Sequence, residues 1–260
     1  MKFIIDADTP ALLAARQSTI VTEFPEARWC SIGWRTDEIK ECFLAHIADW
    51  TRRCASLLEV EDYEITLAFT DGPSNPVGPG EVNFRKSVFA DYKSNRGKKG
   101  KPHGYYYLLE WLWEEQPHET LIWPGLEADD ICGILHTRHA NNSVIISIDK
   151  DMKTIPGVWF NPDKDMLMRQ TYGGAERAHM LQTVHGDSTD GYPGLRGMGE
   201  KTLEKYLIKN DLPLSWKTLQ ELWGNEKPTL LSQARMAKIL TKENYFDNRL
   251  ELFSHPDINE

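Results

Sequence analysis

Short apolar runs alternate with longer stretches of mixed polarity along the first two thirds of the 260-residue chain. The runs that have the length and composition of buried strands are 3–5, 65–69, 121–123, 144–148 and 158–160. Residues 12–60 have a mainly helical pattern, and further helices are predicted over 36–58, 84–96, 105–116, 127–139, 175–185, 200–208 and much of 229–253. This alternation predicts an α/β fold with a mostly parallel central sheet flanked by helices.

Acidic residues follow several of the predicted strands at the point where each strand ends. Asp6 follows the first strand, Asp71 follows the second, and Asp149 and Asp151 follow the fourth. Ligands bind beyond the carboxyl ends of the strands in such sheets, so we expect these side chains to converge there. Residues two apart in an extended segment also point to the same side, which favours a common site for the last two acids.

Two further groups of acids have i, i+3 spacing. Glu127 and Asp130 share one face of a predicted helix, with Asp129 beside them, and Asp187 and Asp190 repeat the spacing. A single first-turn carboxylate is often only an N-cap. Nine clustered acids, however, would raise one another's pKa unless cations bound them. We therefore expect two Mg²⁺ (or Mn²⁺) ions, held largely through water, which can activate a water and stabilise the leaving oxygen of a phosphodiester.

Composition and charge modify this picture in two ways. The formal net charge of −9 opposes nucleic-acid binding, but neutralising nine acids leaves 30 acidic residues against 30 basic ones. Residues 84–101 carry seven basic residues and one acid, which favours a polyanion, although a solvated charged face has the same composition. The sequence contains no membrane-span pattern, no secretory signal and no C-x-x-C pair, so we expect a cytoplasmic protein with reduced thiols.

A glycine-rich stretch, GYPGLRGMGEKT, follows Asp190 directly. Glycines permit positive φ and close approach, and a helix is expected to begin near residue 200. Main-chain amides at such a turn bind anions, although an ordinary connector can have the same glycines. The candidate contacts to a phosphate backbone are Gly194, Gly197, Gly199, Lys201 and Thr202.

Taken together, these motifs resemble the structure-specific 5′-nuclease superfamily, which includes flap endonucleases and the 5′-nuclease domain of bacterial DNA polymerase I. The matching segments, in the family's order, are IIDAD, FRKSVFADYKSNR, LEADD, SIDKDM and GDSTDGYPGLRGMGEKT. Within the superfamily, AFTDG, YKSNRGKKGKP and QARMAKIL are similar to the replicative 5′→3′ exonucleases of short-tailed coliphages. The last of these motifs extends the resemblance to residues 233–240.

The resemblance implies a role for each matching residue. Lys93 and Arg96 match a basic pair that contacts the scissile phosphate, and Tyr92 matches a position that stacks on the terminal base. Arg85, in the same basic segment, is a further candidate substrate contact. The acids that match the family's metal-binding set are Asp6, Asp71, Glu127, Asp129, Asp130, Asp149, Asp151, Asp187 and Asp190.

The resemblance also implies an architecture and an activity. A metal-dependent nuclease domain is expected over 1–175, with a helical arch over about 84–116, and a helical region over 176–260. A helix–hairpin–helix element over about 184–208 would bind duplex DNA, and in relatives such an element binds K⁺. The implied activity is 5′→3′ exonuclease cleavage of duplex DNA to 5′-phosphorylated products, with cleavage of 5′ flaps and of RNA in hybrids, by a monomer in phage DNA replication.

The sequence departs from the family pattern at two places, and two other functions stay open. Asp8 is an additional acid, and Gly191 begins a Gly–Tyr pair where much of the wider family has Asn–Ile. IIDAD also resembles the opening of haloacid-dehalogenase-type phosphatases, with Asp6 as nucleophile and Asp8 as general acid, but Pro10 stands where these have Thr or Val. A non-catalytic protein that binds branched DNA would gain nothing from nine repelling carboxylates.

Overall fold

The computed structural model describes residues 1–95 and 100–258 of the chain. Its strands, in chain order, are β1 (Lys2–Asp6), β2 (Thr19–Phe24), β3 (Trp29–Trp34), β4 (Glu64–Ala68), β5 (Glu119–Leu121), β6 (Ser143–Ile146), β7 (Gly157–Asn161), β8 (Met166–Gln170), β9 (Tyr245–Phe246) and β10 (Arg249–Leu250). Its α-helices are α1 (Asp8–Gln17), α2 (Thr36–Leu58), α3 (Arg85–Val88), α4 (His103–Glu115), α5 (Ala128–His139), α6 (Tyr172–His185), α7 (Glu200–Lys209), α8 (Trp216–Trp223) and α9 (Leu230–Ala237). Within the described residues, no helix combines the length and the apolar character that a membrane crossing requires.

Six strands form the central sheet, in the order β5-β4-β1-β6-β7-β8. The first five pair in parallel, and β8 joins the edge antiparallel to β7. β1 lies in the middle of the parallel part, where Phe3, Ile4 and Ile5 are fully buried, and it ends at Asp6. The predicted α/β fold with a mostly parallel sheet is confirmed.

Successive side chains of β1 point to opposite faces of the sheet, and each face has its own core. Phe3 and Ile5 pack in one core with Phe43 of α2. Ile4 packs in the other core with Ile131 of α5. Because helices cover both faces, the parallel strands have continuous apolar sequences rather than alternating ones.

A third core lies among the helices from α6 onward. Leu203 of α7, Trp216 and Trp223 of α8, and Leu230 of α9 are buried there together. The chain then returns to the sheet, where Leu240 packs against α5. The division of the chain near residue 175 stays a prediction.

The mainly helical pattern predicted over 12–60 is wrong for residues 19–34. β2 and β3 form an antiparallel hairpin there. Val21 is 56% exposed and Ile32 is 58% exposed. These β-branched residues favour the extended conformation, and they lie outside the core that a helical pattern would assign to them.

Two other helices are shorter than their sequence pattern predicts. The helix predicted over 84–96 is confined to α3, and turns follow it to residue 95. The helix predicted over much of 229–253 is confined to α9, and the β9–β10 hairpin follows later. In both places main-chain groups bond to distant parts of the chain, such as the N–H of Lys93 to the carbonyl of Asp190, and these tertiary bonds override local propensity.

His136 of α5 is buried and ties this helix to the sheet. Its Nδ1 lies 2.9 Å from Ser143 Oγ, and its Nε2 accepts the main-chain N–H of Val158 (3.2 Å). Burial lowers the pKa of His136 to about 4. Because an unfolded histidine has a pKa of about 6.5, the neutral ring stabilises the fold fully above that pH. The contribution is then lost as the pH falls toward the folded-state value.

We predict that His136→Gln lowers the free energy of unfolding by about 1–3 kcal/mol at neutral pH, because it disrupts buried hydrogen bonds. The difference in unfolding free energy between the two proteins should shrink as the pH falls from about 6.5 toward about 4.5. In this range the unfolded chain protonates His136 while the fold keeps the ring neutral, which destabilises the wild type. Urea unfolding of both proteins across this range measures the difference between their free energies of unfolding. Other titrating groups contribute equally to both proteins and cancel in this difference. A loss that stays constant or grows toward low pH would contradict the prediction.

Candidate active site

The carboxyl ends of β1 and β6 bring the first acids together. Ser147, directly after β6, donates its hydroxyl to Asp6 Oδ2 (3.0 Å) and accepts the main-chain N–H of Asp149 (3.0 Å). Burial, and then the charge of Asp8, raise the pKa of Asp6 to about 7. The structure thus joins two of the predicted acids through a serine that the sequence analysis did not select as a site residue, although it is the first residue of the SIDKDM motif.

Asp149 and Asp151 occupy one tight turn after β6. Asp149 Oδ1 accepts the main-chain N–H of Asp151 (2.8 Å), so the first acid caps the short 3₁₀ turn that holds the second. Burial and the neighbouring Asp149 raise the pKa of Asp151 to about 6. Asp151 Oδ1 is buried, and no hydrogen-bond partner for it occurs in the part of the chain that the structure describes.

The N-terminus of α5 places the next three acids. Glu127 is the N-cap, and with Asp130 it forms a capping box in which each side chain accepts the other's main-chain N–H. Asp129 lies between them, and its pKa is raised well above the usual range by burial and by the charges of Asp130 and Glu127. These acids are therefore held close together by the start of one helix.

Asp130 and Arg85, two of the predicted site residues, form a buried ion pair. Asp130 is 0% exposed, and its carboxylate accepts both Arg85 Nη1 (2.6 Å) and Nη2 (2.8 Å). It also accepts the main-chain N–H groups of Glu127 (3.3 Å) and Leu240 (3.1 Å). All its acceptor positions are used, so metal binding by Asp130, which stays a prediction, requires a cation to replace at least one of these bonds. Arg85 is 2% exposed, and a contact with substrate, also a prediction, requires it to leave this pair.

Tyr92 is also buried, so stacking on a terminal base, which stays a prediction, requires its ring to become exposed. It is 2% exposed, and its hydroxyl donates to Glu127 Oε2 (2.8 Å) and Asp190 Oδ2 (3.2 Å). Burial, and then the charge of Glu127, raise its pKa. The buried Tyr92 ring therefore does not face solvent, and its hydroxyl orients the carboxylates of Glu127 and Asp190.

Lys93 is a partly exposed basic residue that pairs with two of the predicted acids. Its Nζ lies 2.5 Å from Glu127 Oε1 and 3.9 Å from Asp190 Oδ1, and it adopts a left-handed φ of 56°. Burial alone would raise the pKa of Glu127, but Lys93 and then Arg85 outweigh it and lower that pKa to about 2. Arg96, its predicted partner, lies outside the described residues.

The loop that carries Asp187 and Asp190 docks on the segment that carries Lys93. Asp187 Oδ1 accepts the main-chain N–H of Thr189 (2.7 Å), which closes the loop. Gly191 has a φ of 81°, and a Cβ there would lie 3.3 Å from the carbonyl oxygen of Asp91. This close approach gives a physical reason for glycine at the place where the sequence departs from the family pattern.

Two other acids have partners away from the cluster. The Asp71 carboxylate accepts four main-chain N–H groups at 2.8–3.0 Å, from Gly72, Gly80, Glu81 and Gly125. Its role as a metal ligand stays a prediction, which requires a cation to replace at least one of these bonds. Asp8 Oδ1 accepts Tyr105 Oη (2.5 Å) and Lys101 Nζ (3.1 Å), two residues that the sequence analysis did not select.

The glycine-rich stretch forms a turn between α6 and α7. Gly194 and Gly197 have φ values of 65° and 75°, and Gly199 is the N-cap of α7. Together they line a cleft of about 660 Å³. Lys201 and Thr202 are exposed in the first turn of α7, which begins where predicted. The glycine-rich stretch therefore connects two helices, and its assignment as a helix–hairpin–helix element stays a prediction.

The donor set fits hard divalent cations in its chemistry. Within the described residues, no three His, Cys, Asp or Glu side chains form a ready-made metal cage. However, like charges contribute to the raised pKa of Asp6, Asp129 and Asp151, and a divalent cation would relieve that repulsion. Mg²⁺ keeps several of its waters and needs few direct carboxylate ligands, so it does not require a cage of three ligating side chains, which the described residues lack.

The buried pair of Arg85 and Asp130 predicts an asymmetric effect on stability. Asp130→Ala should lower the free energy of unfolding by about 3–5 kcal/mol, because it leaves the Arg85 guanidinium buried without its counter-ion. Asp49→Ala is the matched control, since Asp49 binds Arg52 and Arg53 on the surface and should cost no more than about 1 kcal/mol. Urea unfolding measures both, and equal losses would contradict the internal role of Asp130.

No family model matches the chain. Individual relatives do. The chain is 32% identical over 231 residues to the exodeoxyribonuclease of Enterobacteria phage T3, a match that covers 73% of each protein. It is 39% identical over 151 residues to the exonuclease of Escherichia phage T7, covering 55% of this chain and 46% of that relative. It is 27% identical over 207 residues to the flap endonuclease Xni of Shewanella baltica (strain OS185), covering 73% of this chain and 74% of the relative.

Solved structures have the same fold at low sequence identity. A phage T5 protein co-crystallised with metal ions superposes with a TM-score of 0.61 at 16% identity, over 92% of this chain and 89% of that one. A bacteriophage T5 flap endonuclease in a pseudo-enzyme-product complex with DNA and metal ions gives a TM-score of 0.56 at 15% identity, over 92% and 85%. With the phage T3 relative matched over nearly three quarters of both proteins, the chain belongs to the 5′-nuclease (flap endonuclease) superfamily of hydrolases.

Proposed function

We propose that this chain is a divalent-metal-dependent 5′→3′ exonuclease on duplex DNA that also removes 5′ flaps and RNA from RNA–DNA hybrids. The observation that carries the proposal is the grouping of acids at two places. Ser147 joins Asp6 to Asp149, whose side chain caps the turn that holds Asp151. The start of α5 holds Asp129 beside Glu127, which pairs with Lys93. The names of the relatives support the reaction class. The T5 structures that contain metal ions and DNA support the cofactor class and the substrate class.

The residues proposed to hold the cations are those whose carboxylates are crowded or lack protein partners. Asp6, Asp129, Asp149 and Asp151 are the candidates for direct contacts, and the remaining candidates, acting directly or through water, are Asp71, Glu127, Asp187 and Asp190. Two bound Mg²⁺ (or Mn²⁺) ions would supply an activated water and stabilise the leaving oxygen of the phosphodiester. Hydrolysis that breaks the bond between phosphorus and the 3′-oxygen leaves a 5′-phosphate on the remaining strand.

Lys93 is the proposed cation for the scissile phosphate. Its ammonium is paired with Glu127 and is 22% exposed, so it borders both the acids and solvent. A phosphate oxygen that approaches the cluster would compete with Glu127 for this ammonium. A positioned cation of this kind counters charge that builds up on phosphate in the transition state. Arg96 is proposed to act with it, as the family resemblance implies.

The glycine-rich turn is the proposed grip on the duplex. Gly197 and Gly199 are exposed, so their main-chain groups are accessible, whereas Gly194 is buried and its N–H is bonded within the protein. The N-terminus of α7 adds the positive end of a helix dipole. Lys201 and Thr202 are exposed beside it and suit phosphate contacts. K⁺ at this turn, as in relatives, is part of the same proposal.

The phosphatase alternative is weakened by the position of Asp8. That mechanism needs Asp8 as a free general acid, whereas its carboxylate is bound by Tyr105 and Lys101 of the arch segment. It also gives no role to Lys93 or to the acids of α5. The non-catalytic alternative is left to experiment.

The reaction class and its direction are tested with a duplex labelled separately at its 5′ and 3′ ends. In Mg²⁺ we expect short 5′-labelled products from the start, while 3′-labelled strands shorten progressively, and EDTA should abolish both. A 5′-flap substrate and an RNA–DNA hybrid run alongside should also be cut. Intact nucleic acids with rapid hydrolysis of p-nitrophenyl phosphate would establish the phosphatase, and binding without any hydrolysis would establish the non-catalytic alternative.

Alanine variants separate catalysis from binding. Asp149→Ala and Asp187→Ala should each lower kcat by about 100-fold or more while duplex affinity in EDTA stays within about threefold, because the acids act on the reacting phosphate. Lys93→Ala should lower kcat similarly. Lys86→Ala, an exposed lysine in the same basic segment, is the control and should leave kcat unchanged. Equal losses in Lys86→Ala and Lys93→Ala would mean that the segment acts only through its overall charge.

A further inference from the structure

Gln233 of α9 connects the glycine-rich turn to the C-terminal part of the chain. Its side chain is fully buried, and its Oε1 accepts the main-chain N–H of Gly194 (2.8 Å). The turn is tightly packed at this point, since a Cβ on Gly194 would lie 2.4 Å from both Gly186 N and Val184 O. Gln233 therefore holds the turn by its main chain, where there is no free space for it to shift.

The C-terminal end of the same helix meets the ion pair that anchors the acids. The carbonyl oxygens of Met236 and Lys238 accept Arg85 Nε (3.4 Å) and Nη2 (2.8 Å). Gln233 and Met236 are one helical turn apart, about 4.5 Å along the axis. The glycine-rich turn and the buried pair of Arg85 and Asp130 are thus fixed to a single rigid turn of α9.

Packing joins the same helix to the segments that carry Lys93 and Asp190. Met236 and Ala237 lie in a small buried cluster with Tyr92 and Tyr192. Tyr92 immediately precedes Lys93, and Tyr192 follows Asp190 by two residues. A displacement of α9 would therefore move the turn and both of these segments together.

We propose that Gln233 is a positioning residue for phosphodiester cleavage. It keeps the glycine-rich turn at a fixed distance from the acidic cluster, and this distance sets which phosphodiester of a gripped duplex reaches the acids. The inference rests on the proposed function, because it requires that the turn binds the duplex. It assigns a role in cleavage position to a buried glutamine that reaches the proposed DNA-binding turn only through the main-chain N–H of Gly194.

Gln233→Met tests this role, because methionine has a similar shape but offers Gly194 no oxygen acceptor. On a 5′-labelled duplex in Mg²⁺, the wild type should give one dominant first product. The variant should spread its first cut over two or more product lengths. Its KM should rise about tenfold, as expected for one lost buried hydrogen bond, while kcat stays within about threefold.

Two controls separate cleavage position from stability and from binding. Leu219→Ala removes a buried side chain of α8 from the same helical core and leaves both partners of the Gln233–Gly194 hydrogen bond in place, so it should destabilise the fold and keep the product lengths. Lys201→Ala removes a proposed phosphate contact, so it should raise KM and also keep the product lengths. Fluorescence anisotropy in EDTA gives duplex affinity for every variant.

Unchanged product lengths in Gln233→Met would overturn the inference. An equal spread of lengths in Leu219→Ala would also overturn it, since general loosening would then be the cause. A further outcome is that Lys201→Ala binds duplex as tightly as the wild type while Gln233→Met changes the product lengths. In that case Gln233 still affects where the strand is cut, and the proposed phosphate contact of the glycine-rich turn is wrong. Should Gln233→Met not fold, Gln233→Asn retracts the acceptor by one methylene and is read in the same way.

Discussion

Mutual repulsion among buried carboxylates is the constraint on which the rest of the structure depends. Burial and neighbouring charge raise the pKa of Asp6, Asp129 and Asp151, and each would be less costly as a neutral side chain. Only part of this repulsion is offset by cations: Lys93 forms an ion pair with Glu127, and Arg85 forms one with Asp130. The uncompensated part is what the proposed divalent cations would relieve.

The compensation comes from segments distant in sequence, and this explains how the fold serves the site. Arg85 reaches Asp130 from a short helix, and its remaining N–H groups are bonded by carbonyls that follow α9 or lie near its end. Tyr92 places a hydroxyl between Glu127 and Asp190. Asp130, Glu127 and Asp190 are therefore oriented by buried groups from other segments, and the less compensated acids are the ones proposed to bind cations.

The fold and the location of the site were predictable from the sequence, because both depend on short-range patterns. Apolar runs predicted the parallel strands, and acids directly after Ile5 and Ile148 had to lie at one edge of a parallel sheet. Individual roles were less predictable. A basic motif does not indicate whether its cations face solvent or an internal acid, so the sequence does not reveal that Arg85 is buried. The family resemblance that suggests a role for Tyr92 does not reveal the burial of its ring either.

Tertiary main-chain contacts account for most of the other differences. The four N–H groups around Asp71 come from two loops, and no sequence pattern identifies them as its partners. The hairpin over 19–34 leaves β-branched residues exposed, so periodicity gave no signal for it. Gln233 is a buried polar residue inside a helix, and its spacing alone does not reveal that it binds the turn at Gly194.

The central claim, that repulsion among these acids is kept for the sake of cation binding, is tested most directly by thermal unfolding of wild type and Asp129→Asn in EDTA and in Mg²⁺. The account predicts that Mg²⁺ stabilises the wild type, by about 2.7 kcal/mol at 100 times its Kd. It predicts that Asp129→Asn unfolds at a higher temperature than the wild type in EDTA and gains little from Mg²⁺. An Asp129→Asn protein that is less stable in EDTA, or that gains as much from Mg²⁺ as the wild type, would contradict it.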